Sequence, residues 1–282
     1  MIYTRKELMT LRPFVKWAGG KTQLLPKIKE KLPKNYNRYI EPFVGGGAVL
    51  FELQPNKAII NDINKALIYT YKIIRVFPRE LCNILKDLDK QVITGGKEFY
   101  YQIRNKYNSV IHNEQYNIEF AAWFIFLNKH CFNGLYRVNS KGLFNVPYNN
   151  SIKSSFNRDN IFAISSFLDD AYIDIKQGDF EYACKKAQKG DFIFLDSPYA
   201  PLNDTSFDSY TQNGFSLEDH KRLAKVFQEL TDKGCYCMLT NHNTELINEL
   251  YKDFNKKVVN VKRMINSDAT NRKGQEIIIT NY

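Results

Sequence analysis

The segment with the clearest reactive content is Asp196-Ser197-Pro198-Tyr199, which follows the apolar run Phe192 to Leu195. A strand ending there projects side chains and carbonyls into the crevice at the carboxyl edge of a sheet. The exocyclic amine of adenine is a poor nucleophile because its lone pair is delocalised into the ring, and two acceptors on its hydrogens would localise that pair. Asp196 and the Ser197 carbonyl are the candidate acceptors. Tyr199 is a candidate stacking surface for a base taken out of its duplex, offsetting an unstacking cost of roughly a few kcal/mol and leaving the amine in line with a methyl donor. Taken alone, Asp-x-Pro-Tyr is also simply a turn.

Two glycine-rich segments lie upstream. Phe14-Val15-Lys16-Trp17-Ala18-Gly19-Gly20-Lys21-Thr22 ends like a phosphate-binding loop, but Val15 stands where that loop needs its first glycine, and Leu11-Arg12-Pro13 replaces the apolar strand. A nucleotide triphosphatase is therefore not indicated, and a glycine turn capping the following helix stays open. Ile40-Glu41-Pro42-Phe43-Val44-Gly45-Gly46-Gly47 reads as a strand end followed by glycines that let backbone approach a ligand. Leu50 occupies the last glycine position of a dinucleotide fingerprint, and the next strand ends in Asp62, a carboxylate suited to ribose hydroxyls. The pair describes an adenosine-bearing cofactor without a pyrophosphate requirement. An unrelated glycine turn with a strand-end Asp is the alternative.

These residues need a frame. Ala58 to Asp62, Phe192 to Asp196, Tyr236 to Asn241 and Glu276 to Asn281 read as buried strands ending in polar residues. Thr22 to Lys31, Asn64 to Val76 and Leu217 to Leu230 carry helical spacing between them, which predicts a mainly parallel, doubly wound α/β sheet. From Phe77 to Asn160 the alternation breaks, with helical stretches around Glu98 to Tyr107 and Ile118 to Lys129. The polar stretch Asn133 to Asn157 is too long for a plain connection. We read residues 77–160 as an inserted second domain, with 1–76 and 161–282 forming the first.

Composition narrows the partners. Forty Lys and Arg against thirty Asp and Glu give a net charge of +10 over 282 residues, which favours a polyanion through counterion release, with a solvated basic surface as the alternative. No apolar run approaches the roughly 18 residues that span a bilayer, and Met1 to Arg12 lacks a signal-peptide core, so a cytoplasmic protein without membrane attachment is expected. Cys82, Cys131, Cys184, Cys235 and Cys237 form no CxxC pair, and His112, His130, His220 and His242 have no HExxH spacing. Reduced thiols and no metal are expected.

In this order, the three motifs resemble those of the Dam and DpnII-type DNA adenine-N6 methyltransferases, which share FxKWxGGK, EPFxGxG and DPPY. The likeness extends to Asn133-Gly134-Leu135-Tyr136-Arg137 and Phe144-Asn145-Val146-Pro147, which look like that family's target-recognition hairpin, and so covers almost the whole chain. It implies a Rossmann-like methyltransferase sheet with an inserted, mainly helical target-recognition domain carrying a hairpin. It also implies S-adenosylmethionine as cofactor, held by Trp17, Ala18, Gly19, Lys21, Glu41, Phe43, Gly45 and Gly47, with Asp62 on the ribose, Asp179 and Phe180 framing the adenine, and Asp196 alongside. Catalysis falls to Asp196, Ser197, Pro198 and Tyr199. The implied target is GATC in duplex DNA, read by Arg137 through guanine O6 and N7, with Lys16 on another guanine. Phe132, Asn133, Leu135 and Pro147 line or wedge into the opened site, and Asn139 also binds DNA. A monomer associated with the nucleoid is expected, alone or beside a cognate restriction endonuclease.

Two positions depart from the family pattern. Ser197 stands where relatives usually have proline, which keeps the carbonyl but loses backbone stiffness, so a working enzyme is expected. Asn149-Asn150-Ser151 stands where relatives commonly carry Gly-Arg-Tyr; Lys262, Arg263, Arg272 and Lys273 could instead serve phosphates, or form a solvated face. An N4-cytosine methyltransferase and a catalytically silent DNA-binding relative are the competing readings. The Asp at 196 and the intact Tyr199 favour the adenine enzyme.

Overall fold

The computed structural model describes residues 10–17, 19–21, 23–111, 113–201, 214–262 and 273–282. Ala18, Thr22, His112, Arg263 and Arg272 therefore lie outside the described residues. The chain divides into two compact units. One comprises residues 1–20, 45–56 and 64–177, and the other residues 21–44, 57–63 and 178–282. These limits follow packing and cut the chain elsewhere than at 76/77 and 160/161.

The second unit is built on strands β1 (Tyr39–Glu41), β2 (Lys57–Asp62), β4 (Phe192–Leu195), β5 (Tyr236–His242), β6 (Asn255–Lys262) and β7 (Lys273–Thr280). Their order is β2-β1-β4-β5-β7-β6. The first four run parallel, with Ile40 opposite Ile59 and Ile193, and Phe194 opposite Met238. β7 is antiparallel to both β5 and β6. All four residues of β4 are buried, as expected of a strand covered on both faces. Helix α7 (Phe180–Lys185) packs on β1 and β2, while α8 (Leu217–Asp232) packs on β5. Ile40, Ile193, Leu195, Leu223, Phe227, Leu239 and Ile277 share one core. A reciprocal capping box between Ser216 and Asp219 starts α8. The remaining helices of this unit are α1 (Leu25–Glu30) and α9 (Glu245–Leu250).

The first unit is mainly helical. It holds α2 (Ala48–Leu53), α3 (Lys65–Val76), α4 (Pro78–Ile111), α5 (Ile118–His130), α6 (Arg158–Asp170) and strand β3 (Tyr172–Gln177). Asn64, Asn117 and Asn157 cap α3, α5 and α6 by accepting a backbone N–H three residues on. Helix α4 breaks at Gly96, whose φ of 47° favours glycine. The helix expected around Glu98 to Tyr107 lies beyond that break, and Leu81, Leu85, Leu88 and Val92 form a buried stripe before it. After α5 the chain closes a small hairpin, in which Val138 bridges Phe144 and Cys131 bridges Tyr148. Among the described residues no helix is long and apolar enough to cross a membrane, and all five cysteines are buried and unbonded.

Candidate active site

β1 lies between β2 and β4, so strand order reverses there, and ligands of such sheets bind at the carboxyl ends of the strands flanking the reversal. Three carboxylates stand at those ends: Glu41 closes β1, Asp62 closes β2 and Asp196 follows β4. Lys21 is buried beside them, its Nζ 2.7 Å from Asp196 Oδ2. Thr240 on β5 donates its hydroxyl to Asp196 Oδ1 at 2.8 Å. Burial pushes the Asp196 carboxyl above the usual carboxylate range, while Lys21 and Thr240 pull it back. Each oxygen keeps a second lone-pair direction, so the clamped carboxylate can still accept from a substrate amine.

Tyr199 donates its hydroxyl to Glu276 Oε2 at 3.0 Å. Lys21 Nζ lies 4.7 Å from the centre of its ring, and the His242 ring meets it edge-on at 4.7 Å. Burial, with Asp196 and Glu276 nearby, raises the phenol far above its ordinary value, so it remains a neutral donor. The turn itself is tied down, with Asn241 accepting from the Ala200 N–H at 2.8 Å and donating to Ser197 Oγ at 3.3 Å. Ser197 therefore has a buried hydrogen-bond partner that a proline would lack, while Pro198 is exposed.

Glu41 Oε2 is buried and has no hydrogen-bond partner among the described residues. Burial pushes the Glu41 carboxyl well above its ordinary value; the nearby Tyr39 hydroxyl works against the rise and Asp196 adds to it. An unpartnered acceptor of this kind fits a cationic amine. Three carboxylates against one lysine also suit a cationic group better than a phosphate. Asn61 joins these strand ends, donating to the Pro42 and Gly178 carbonyls at 3.0 and 2.9 Å. Beside them Phe43 stacks on Phe180 with centroids 5.3 Å apart, and Phe215 meets both rings. Asp179 accepts from the Glu181 N–H and from Arg222, whose guanidinium lies over Phe180. A buried unpartnered acceptor, a strand-end carboxylate and an aromatic slot together fit S-adenosylmethionine.

The first unit holds the other predicted residues. Trp17 lies against Gly45, where a Cβ would come 2.8 Å from its Cδ1, and its indole stacks on Tyr136 at 5.5 Å. Gly47 has φ of 76°, and a Cβ there would meet the Tyr71 hydroxyl at 2.5 Å. Gly19 is exposed with φ of 79°. Lys16 is exposed, and its backbone N–H and C=O are both held by buried Asn128, which also donates to the Gly134 carbonyl at 3.0 Å. A Cβ on Gly134 would collide with the Lys16 side chain, so that lysine lies directly on the base of the hairpin. Arg137 is exposed, with Nε donating to Asn145 Oδ1 at 2.8 Å. Phe132, Asn133 and Pro147 are exposed and Leu135 is half-buried. The Asn139 side-chain oxygen accepts from the Lys141 and Leu143 N–H groups and closes the hairpin turn.

Asp196, Ser197, Pro198, Tyr199, Lys21, Glu41, Phe43, Asp62, Asp179 and Phe180 thus belong to one unit. Lys16, Trp17, Gly19, Gly45, Gly47 and the hairpin residues belong to the other. Thr240, His242 and Glu276 in the second unit and Asn128 in the first are contacts that no sequence motif singles out. The run Thr240-Asn241-His242 at a strand's carboxyl end was a usable signal for two of them. Nothing local marks Glu276 or Asn128.

A Rossmann-like sheet with these carboxylates at its reversal point fits the class of S-adenosylmethionine-dependent methyltransferases. Residues 17–265 match the family model of the D12 class N6 adenine-specific DNA methyltransferases. The chain is 43% identical to the type II methyltransferase M1.LlaDCHI of Lactococcus lactis subsp. cremoris, covering 99% of this chain and 98% of that protein. It is 43% identical to the type II methyltransferase M.MjaIII of Methanocaldococcus jannaschii, covering 97% and 100%. The DNA adenine methylase of Escherichia coli (strain K12) is 33% identical, covering 96% and 95%. The chain belongs to the D12 class of DNA adenine-N6 methyltransferases, and its cofactor is S-adenosylmethionine.

Proposed function

We propose that this enzyme methylates the adenine of GATC in double-stranded DNA, acting on a base turned out of the duplex. The observation that carries this reading is the pairing of a clamped carboxylate, Asp196, with a fixed aromatic ring, Tyr199, on one strand-end turn. Asp196 accepts one N6 hydrogen and the Ser197 carbonyl the other, which returns electron density to the nitrogen; Tyr199 stacks on the base, and Pro198 shapes the turn between them. S-adenosylmethionine supplies an electrophilic methyl on its sulfonium. An amine hidden inside a base-paired stack cannot reach such a turn, which is why the base must leave the helix.

In the second unit Lys21, Glu41, Phe43, Asp62, Asp179 and Phe180 are the cofactor residues, with Glu41 taking the cationic amine and Asp62 the ribose. Trp17, Gly19, Gly45 and Gly47 of the first unit carry the same assignment through the family's motifs. Residues 77–160 form the target-recognition segment. Arg137, exposed on its hairpin, reads a guanine through O6 and N7, Lys16 reads a second, and Phe132, Asn133, Leu135 and Pro147 face the opened site. Asn139 serves by shaping the turn that presents Arg137. The enzyme works as a monomer in the cytoplasm, at the nucleoid, and needs no metal because the sulfonium is already activated. The two relatives named type II methyltransferases support a place beside a restriction endonuclease.

The test is transfer of labelled methyl from S-adenosylmethionine to duplexes carrying GATC or a scrambled site, followed by nucleoside mass analysis. We expect N6-methyladenine only in the GATC duplex, and none with Asp196→Ala. Equal labelling of both duplexes would overturn the GATC assignment. N4-methylcytosine would overturn the adenine chemistry.

A further inference from the structure

β7 runs antiparallel between β5 and β6, and its register sets Glu276 directly opposite His242 of β5. Both side chains then turn to the same ring. Glu276 accepts the Tyr199 hydroxyl at 3.0 Å, and the His242 ring packs edge-on against the Tyr199 ring at 4.7 Å. His242 Nδ1 lies 2.8 Å from the carbonyl of Ala200, the residue after Tyr199, so the turn's backbone is tied to the same pair of strands. A tyrosine ring anchored only at its Cβ could still swing about its Cα–Cβ bond. Here its far end is fixed as well.

We propose that Glu276 is a positioning residue for methyl transfer: by holding the Tyr199 hydroxyl it fixes where the far end of the ring sits, so that the ring on which the target base stacks cannot swing away, while the edge-on His242 ring limits its turning. The proposal rests on the reading of Tyr199 as the stacking aromatic. It gives the antiparallel strand a part in the site. The parallel strands bring Asp196 and Glu41 to their carboxyl ends, whereas a strand running the other way must deliver a side chain near its own beginning, and Glu276 is the fourth residue of β7. The carboxylate needs only to accept a hydrogen bond, so a glutamine carbonyl can replace it and an alanine cannot.

The experiment compares Glu276→Ala, Glu276→Gln, Tyr199→Phe, Tyr199→Ala and the double variant Glu276→Ala/Tyr199→Phe. Single-turnover methyl transfer to a GATC duplex is measured together with the KM for DNA. Fluorescence of 2-aminopurine at the target position reports the extruded base without chemistry. A hydrogen bond of ordinary strength that matters in the transition state is worth about tenfold in rate. We expect Glu276→Ala and Tyr199→Phe each to slow transfer about tenfold with KM within about twofold of wild type, Glu276→Gln to restore most of the rate, and the double variant to be no slower than either single one. Multiplying losses in the double variant, or a wild-type rate in Glu276→Ala, would overturn the proposal. Should Glu276→Ala fail to fold, Glu276→Gln against Tyr199→Phe still decides, since only the second removes the contact. The premise is judged separately: Tyr199→Ala with unchanged rate and unchanged 2-aminopurine signal would reject the stacking role itself. Loss in Tyr199→Ala with none in Tyr199→Phe or Glu276→Ala would reject positioning alone.

Discussion

Lys21 and Asp196 form a buried ion pair, 2.7 Å from Nζ to Oδ2, with the lysine 4% and the aspartate 18% exposed. The two residues are far apart in the sequence and meet at the carboxyl end of β4. A buried pair contributes little over an apolar substitute, but removing one partner strands the other charge. The pair is better explained by what it does to Asp196. Burial alone would drive that carboxyl toward its neutral form, which is a poorer acceptor for an amine hydrogen.

Lys21→Met is therefore expected to raise the Asp196 carboxyl further. The acid limb of the single-turnover rate should move to higher pH, and the rate near pH 7 should fall roughly a hundredfold, within the range of a lost acid–base group. The stability cost should approach about 3 kcal/mol at high pH and shrink in acid. The sign follows because an acid with a raised folded-state value binds protons better folded than unfolded, so stability is lost as pH rises through that value. A pH–rate profile and urea unfolding at two pH values check both parts; an unmoved acid limb would refute the role.

Glu41 should report cofactor binding through protons. Its carboxyl sits well above the ordinary range because it is buried, and a cationic amine placed on the unpartnered Oε2 would ionise it. Titration of S-adenosylmethionine in buffers of different ionisation enthalpy should show proton release that disappears in Glu41→Gln. By the same linkage the ligand-free Glu41→Gln protein should gain thermal stability over wild type at about pH 8 and less at about pH 5. Identical proton release in the variant would assign the amine to another group.

Arg137 is exposed on its hairpin and donates from Nε to Asn145, an arrangement in which its terminal nitrogens would reach two acceptors on one base edge. Arg137→Ala should cost about 1–3 kcal/mol of discrimination at one guanine and raise methylation of sites altered there relative to GATC. Arg137→Lys should recover little, because an ammonium cannot reproduce the fork. Competition between cognate and single-substituted duplexes measures it, and uniform weakening across all duplexes would mean a phosphate contact instead.

Gly47→Ala tests the glycine motif as architecture. At φ of 76° the added methyl would meet the Tyr71 hydroxyl at 2.5 Å and the Phe51 ring at 2.9 Å. Tyr71 also donates to the Gly45 carbonyl at 3.0 Å, so displacing it loosens the whole loop. A loss of about 2–4 kcal/mol in chemical unfolding is expected from strain and overpacking together. A change under about 0.5 kcal/mol would show that the loop relaxes freely.

Much of the sheet was open to reading in one dimension. β2, β4, β5 and β7 are short apolar runs closing on a polar residue, and the reactive turn follows one of them directly, because a strand buried on both faces leaves its chemistry at its end. The hairpin with Arg137 was legible only through its resemblance to a family motif, since its residues alone read as a long polar loop. Edge strand β6 was not, since its lysines and asparagines blur the alternation that exposes a strand to inspection. Nor was the first half of α4, whose leucine stripe is cut short by Gly95 and Gly96.

By itself, the sequence determined which groups can do chemistry and at which strand ends they sit, because a residue's type and its distance from a turn are local properties. Only the tertiary structure decided how those groups are held. Glu276 reaches Tyr199 across 77 residues and Asn128 reaches Lys16 across 112. Such partners depend on strand order, on the antiparallel entry of β7 and on helix packing, which are set by burial summed over the whole core rather than by any segment.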